Sequence, residues 1–327
     1  MEVRHITGTG VEQYPVDDLK ELLASDDGFV WVDIPCGDEA ARTVLSEVFA
    51  LHPLAVRDCL ERNRVARVHP YQEHVFIVLH APELGTGGHV HYLELDQIIG
   101  PRYLVTVHGP INKAVDPAIA ERETRAVARR LDTGKLRPNN PFELSYSIVS
   151  ALSRHKESFV EQLTREVWAL EQRVTSGHMG DPEQFLDEMF RARHGLLAVR
   201  TMAALSIEAY GRMATFNRAI PEEVKPVLAD IVDQFERVRS IADGEKEYLQ
   251  GVIEFYRARA ETKMTIAAER LAVIAVITLP ITALSSIYGM NIIVNDSTHW
   301  GQLAVVLAVM ITMSLILLRW AKRQGWW

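Results

Sequence analysis

A chain of 327 residues, 48% hydrophobic and 24% charged, is long enough for two or three folded units and has an ordinary globular average. Its formal net charge of -8 excludes a broadly basic nucleic-acid surface and makes cations the more natural partners. With only Cys36 and Cys59 present, a disulfide framework is not expected and a reducing compartment fits; MEVRHITGTGVEQYPVDDLK contains no apolar run, so no cleaved signal is expected either.

The first segment, residues 1–110, mixes strand and helix patterns. FVWVDI at 29–34, EHVFIVLH at 73–80, HVHYLELDQIIG at 89–100 and RYLVTVH at 102–108 are rich in β-branched and aromatic residues and predict a small sheet. DEAARTVLSEVF and HPLAVRDCLE have helical spacing, so the segment reads as a mixed α/β domain with helices against the sheet. His89 and His91 alternate on one of these strands and read as surface residues rather than as a zinc site.

Residues 111–220 are almost wholly helical in pattern, broken by the turn clusters DTGKLRPNNP and SGHMGDP. The spacing predicts two long antiparallel helices over 142–174 and 182–213. DTGKL lacks the preceding glycine and the Ser or Thr of a phosphate loop, and no nucleophile with a base can be placed, so the chain does not read as an enzyme.

A stalk helix is expected over 221–270. Pro221 suits a first helical turn, Glu222 and Glu223 suit the positive end of the dipole, and no strong breaker follows until Pro280. Apolar residues recur at Val224, Leu228, Ile231, Phe235, Val238, Ala242, Leu249, Val252 and Tyr256, a heptad seam with Glu245 as its one charged exception. Unbroken to Tyr288, at 1.5 Å per residue, the helix would be roughly 100 Å long.

Two stretches, Leu271 to Tyr288 and Leu303 to Leu318, contain no charged residue, and between Leu271 and Leu318 the only charge is Asp296. With their flanks they approach the roughly 17 to 25 residues a membrane crossing needs, so spans are expected at 271–291 and 301–319. Arg257, Arg259, Lys263 and Arg270 precede the first, while Arg319, Lys322 and Arg323 follow the second, in the tail 320–327. The loop 292–300 has no basic residue, so the positive-inside rule puts both termini in the cytoplasm of a cell inner (plasma) membrane and this loop outside. Trp300, Trp320, Trp326 and Trp327 suit interfacial anchoring among lipids.

One two-helix hairpin cannot surround an aqueous path, so conduction requires several copies, and the heptad seam is the expected association surface. Thr278, Thr282, Ser285 and Ser286 make the first span the better pore lining, although such hydroxyls also bond back to their own helix, here near Pro280; the second span has Thr312 and Ser314.

The first span ends in Tyr288-Gly289-Met290-Asn291, ahead of a short polar loop, the second span and the tail KRQGWW. This arrangement closely resembles the CorA family of magnesium and cobalt transporters, strongly over 221–327 and with weaker motifs over 1–220. The resemblance implies an α+β cytoplasmic domain, long helices, and a stalk continuing into a two-helix transmembrane hairpin. It also implies a homopentamer whose first spans line the pore and whose Gly-Met-Asn segments ring the outer mouth. Mg2+ keeps its octahedral waters, which a ring of neutral oxygens from Asn291 and the carbonyls near Gly289 would contact without stripping.

Ungapped matching from Asn291 puts the family's pore-facing positions on Thr282, Leu279, Leu271, Ala268 and Thr265; the family often has Met at the place of Ala268 and Asn at that of Thr265. Family members also hold regulatory Mg2+ between neighbouring cytoplasmic domains, which implies Asp58 and Asp230 here, with Asp233 and Glu254 as secondary ligands. IIVNDSTHW stands where Met-Pro-Glu-Leu is common, and Asp296 supplies an acidic charge there. The expected function is import of Mg2+, with Co2+ or Ni2+ open, down its electrochemical gradient under feedback by cytoplasmic Mg2+. Met290 favours magnesium, while the atypical loop leaves a Zn2+ transporter of the same superfamily open, and a non-conducting membrane-tethered sensor would not require Asn291.

Overall fold

The computed structural model describes residues 1–177, 180–216, 220–289 and 300–323. They fall into two compact units, Met1–Val252 and Ile253–Trp327.

In the first unit the elements run β1 (Glu2–Ile6), β2 (Val11–Tyr14), α1 (Leu19–Ala24), β3 (Phe29–Ile34), α2 (Ala41–Thr43, continued by a π turn over Val44–Val48), α3 (Pro53–Leu60), β4 (Arg67–Pro70), β5 (Val75–Leu84), β6 (Val90–Ile99) and β7 (Tyr103–Val107). Then come α4 (Pro117–Ala120), α5 (Arg122–Asp132), α6 (Pro141–Ser176), α7 (Pro182–Met213) and α8 (Lys225–Gly289), whose last part belongs to the second unit. The strands form one sheet in the order β2-β1-β3-β7-β6-β5-β4. All its pairings are antiparallel except β3 with β7, where Val30 lies opposite Tyr103 and Ile34 opposite Val107.

Both sheet faces are covered, which is why FVWVDI reads as an unbroken apolar run and every residue of β3 is buried. On one face Val30, Val32, Phe76, Val78, Ile98 and Val105 pack against Leu19 of α1, Ala41 and Leu45 around α2, and Val56 and Cys59 of α3. On the other, Trp31, Ile77, Leu79, Leu95 and Leu104 meet Val127 of α5, Ile148 and Leu152 of α6, Tyr210 of α7, and Leu228, Ile231 and Phe235 of α8. The helical region therefore shares one core with the sheet.

β1, β2, α1 and β4 are absent from the expectation. β2 and β4 are the sheet edges, short and partly exposed, and β4 ends in Pro70, a residue tolerated where no ladder partner is needed. β1 carries Arg4 at a buried position, over the Trp31 ring at 5.3 Å and paired with Asp132 and Glu2, so its polar residue points inward and the alternation fails. The segment expected as one helix at 38–49 holds only the short α2 and its π turn.

The helix hairpin is punctuated at both ends. Asn140 caps α6 by accepting the Glu143 N–H at 3.0 Å, Glu143 accepts the Asn139 N–H in return, and Gly177 ends the helix at φ 80°. Asp181 caps α7 by accepting the Glu183 N–H at 3.1 Å. A Cβ on Gly195 of α7 would stand 2.9 Å from Leu163 of α6, so a glycine is what lets the two helices approach there.

The heptad seam of α8 corrects an expectation. Val224, Leu228, Ile231, Phe235, Val238, Ala242, Leu249 and Val252 are buried within their own chain. The first four belong to the sheet-facing core, and the Tyr210 ring of α7 lies tilted against Phe235 with centres 6.1 Å apart. The seam joins α8 to its own domain and is not free to associate copies.

In the second unit, α8 continues from Ile253 through Pro280 to Gly289, and α9 spans Trp300–Arg323. Among the described residues, α8 and α9 are the helices long and apolar enough to cross a membrane. Leu271, Ile274, Leu279, Val305, Ile311 and Ile316 are all more than half exposed in the single chain, a burden of apolar surface that lipid and neighbouring helices relieve.

Lys156 of α6 is wholly buried, its Nζ 3.3 Å from the Ser206 hydroxyl and 4.4 Å from the Phe235 ring centre. Burial pulls its pKa from 10.5 down to about 7, and Glu123 only partly opposes this. Between those values the unfolded chain binds a proton that the folded chain does not, so stability rises with pH across the window. Lys156→Met should therefore raise the melting temperature, most at or below pH 7 and progressively less toward pH 10. A lower melting temperature for this variant throughout would show that the amine is required.

Candidate functional site

The residues from Leu271 to Gly289 carry no charge and form the end of α8. Thr265, Ala268, Leu271, Leu279 and Thr282 are all exposed in the single chain. At 3.6 residues per turn these five positions fall within about 120° of the helix circumference, a single stripe. The stripe has a threonine at each end with Ala268 and two leucines between.

The hydroxyls bond back to their own helix. Thr265 donates to the Glu261 carbonyl at 3.0 Å, Thr278 to Ile274 at 2.9 Å and Thr282 to Thr278 at 2.9 Å. Thr312 and Ser314 of α9 do the same, while Ser285 of α8 reaches Met310 Sδ at 4.0 Å. Back-bonding satisfies the hydrogen and leaves oxygen lone pairs to accept from water. Tyr288 and Gly289 are the last two residues of α8; Met290, Asn291 and Asp296 lie outside the described residues.

The four carboxylates expected to regulate differ sharply in setting. Asp230, Asp233 and Glu254 are exposed on α8. Asp230 Oδ2 accepts the Tyr146 hydroxyl and the Gln234 amide, each at 2.7 Å, and these bonds hold its carboxyl below the usual range. Asp58 of α3 is buried instead, with Oδ2 at 2.8 Å from Arg67 Nη2 and Oδ1 at 3.3 Å from Arg57 Nη2. Among the described residues no three His, Cys, Asp or Glu side chains stand together as a metal site. A divalent ion at any of these acids therefore draws its remaining ligands from water or a second copy.

Asp58 sits in a polar network that the sequence reading missed. The Asn63 side-chain amide donates to the Asp58 carbonyl at 2.7 Å and to Glu94 at 2.5 Å, and the Asn63 N–H donates to Glu94 at 2.7 Å. His80 Nε2 is 2.9 Å from the Asn63 carbonyl, and burial pulls the His80 pKa down to about 4. Burial raises Glu94, although the Asn63 bonds oppose it; Asp96, wholly buried, is pushed well above the carboxylate range by burial and then by Glu94. The available signal was His80, Glu94 and Asp96, which the register places on one sheet face, where Glu94 lies opposite His80.

With these placements in hand, residues 26–323 match the family described as CorA-like Mg2+ transporter protein. The chain belongs to the CorA-like Mg2+ transporter family. The Cobalt/magnesium transport protein CorA of Thermotoga maritima is 24% identical over 339 aligned positions, covering 100% of this chain and 92% of that protein. The complete structure of the CorA magnesium transporter from Methanocaldococcus jannaschii superposes with a TM-score of 0.83 at 14% identity, covering 100% of this chain and 99% of that one. The ZntB cytoplasmic domain from Vibrio parahaemolyticus superposes with a TM-score of 0.61 at 9% identity over 80% of this chain and 98% of that domain. The structural likenesses establish the CorA fold, an α+β domain followed by long helices, as the sequence led one to expect. As a CorA-family member the chain is a divalent metal transporter rather than an enzyme.

Asp58 already has in-chain partners, which separates two roles. Asp58→Asn should cost about 1–3 kcal/mol of stability whether magnesium or a chelator is present, because it weakens a buried ion pair. Paired melts of the purified CorA-family chain test this. A loss that appears only with magnesium would make the ion, and not Arg67, the main partner of Asp58.

Proposed function

We propose that the chain imports Mg2+ through the plasma membrane as a homopentamer, down the electrochemical gradient, with cytoplasmic Mg2+ closing the path. One observation carries the reading: a family match over residues 26–323 takes in an uncharged helix that ends at the Gly289-Met290-Asn291 motif. Five copies of the 265–282 stripe would line the path, and the Asn291 amides with nearby carbonyls would meet the hydrated ion at its mouth. Neutral oxygens bind a hydrated divalent ion weakly enough to release it. The drive is the membrane potential, which favours inward movement of a divalent cation by about 4.6 kcal/mol per 100 mV. No ATP is required.

The division into an α/β domain to about residue 110, helical part to 220, stalk to 270 and membrane hairpin with cytoplasmic termini belongs to the same proposal. So does regulation: Mg2+ bridging Asp230, Asp233 or Glu254 of one subunit to Asp58 of the next would hold the assembly closed. For Asp58 this means exchanging the Arg67 guanidinium for the ion, so the bridge forms only where the cation concentration repays that exchange.

The likeness to the ZntB domain supports Zn2+ as a second reading.

Asn291→Ala should abolish Mg2+ uptake into reconstituted vesicles while the oligomer survives in detergent; normal uptake in that variant rejects the mouth assignment. Replacing Asp58 and Asp230 together by Asn should weaken inhibition by internal Mg2+ at least severalfold. Unchanged inhibition removes these acids as the sensor.

A further inference from the structure

The face of α6 turned toward α5 and the first part of α8 borders a pocket of about 550 Å³. Ser147, Ser150 and Ser153, every third residue of α6, line it, and each is more than nine-tenths buried. Ser147 donates to the Glu143 carbonyl at 3.0 Å and Ser150 accepts the Gln234 amide at 3.2 Å. The Ser153 hydroxyl has no partner among the described residues. A buried hydroxyl without a partner is costly unless something fills the role.

Three guanidinium groups flank the serines. Arg237 stands 3.8 Å from Glu157, whereas Arg130 and Arg154 have no side-chain partner among the described residues. Asp230 is the other acid on the wall, and it is held by Tyr146 and Gln234. The arginines outnumber the acids. Two free forks beside the unpaired Ser153 hydroxyl match an oxyanion with several acceptor oxygens, since guanidinium groups bind phosphate in a bidentate manner and a hydroxyl donates to what remains. A compact monatomic ion would leave most of the pocket empty, whereas about 300–1,000 Å³ is the usual size of a small-molecule site.

We propose that this pocket binds the phosphate group of a small cytoplasmic ligand, with Arg130 and Arg154 as the charge partners and Ser153 as a donor. The site is separate from the ion path and does not depend on which cation is carried. Its position beside Asp230 gives it a direct route to the stalk, because Gln234 and Tyr146 contact both the acid and the pocket.

The test uses the full chain in detergent with a chelator and no added divalent metal, which removes any cation binding at Asp230. Inorganic phosphate, ADP and ATP are titrated against chloride at constant ionic strength, and the melting temperature and calorimetric heat are followed. The expected result is a saturable rise for at least one phosphate probe, with half-saturation shifted about tenfold or more in Arg130→Gln with Arg154→Gln and severalfold in Ser153→Ala. Saturation by phosphate and nucleotides alike assigns the site to a bare phosphate group; saturation by nucleotides alone assigns it to a phosphate ester. If the double variant does not fold, Arg154→Gln and Ser153→Ala carry the comparison. A non-saturating response common to all anions, or equal half-saturation in wild type and variants, overturns the proposal.

Discussion

One helix has to satisfy two solvents, and the rest of the molecule is arranged around that constraint. From Val224 to Val252 the seam residues of α8 are buried against their own domain; from Leu271 onward the apolar residues are mostly exposed. Protein covers the first stretch, and only lipid or another copy can cover the second. The sheet, α6 and α7 supply the core that grips the first stretch, with Phe235 between Tyr210 and the Lys156 amine at its centre.

Much of this was legible because burial leaves marks in sequence. FVWVDI is buried on both sides and reads as a strand; Asn140-Pro141 and Asp181-Pro182 start α6 and α7, which close on the expected hairpin. The uncharged spans could be read from composition alone. What a period cannot tell is which surface it meets. The seam of α8 has the spacing of a coiled coil, yet its partners are Tyr210, the sheet and α6 rather than a second α8. Edge strands were illegible for the opposite reason, since β2 and β4 bury too little to impose a pattern.

The site divides in the same way. The stripe from Thr265 to Thr282 came from matching the family's pattern back from Asn291 rather than from the residues themselves, and all five positions are exposed in the single chain. Asp58 was legible as an acid but not as a paired one, because Arg67 lies on β4, an element with no sequence signal. Pairing changes its chemistry from a free ligand to one that must give up a guanidinium. Asp230, by contrast, is exposed and held charged by neutral donors. An ion sensor built from one locked and one open carboxylate would respond at a higher cation concentration than two open ones, since the ion must displace the guanidinium at Asp58.

The transport proposed for the chain is passive, potential-driven movement of magnesium. Its most direct test is influx into vesicles containing only the purified chain, with an inside-negative diffusion potential, a trapped magnesium indicator and no nucleotide. Influx that rises with the potential and is indifferent to a pH gradient is the predicted result. Zinc entry driven by a pH gradient, with no magnesium entry at any potential, would contradict it.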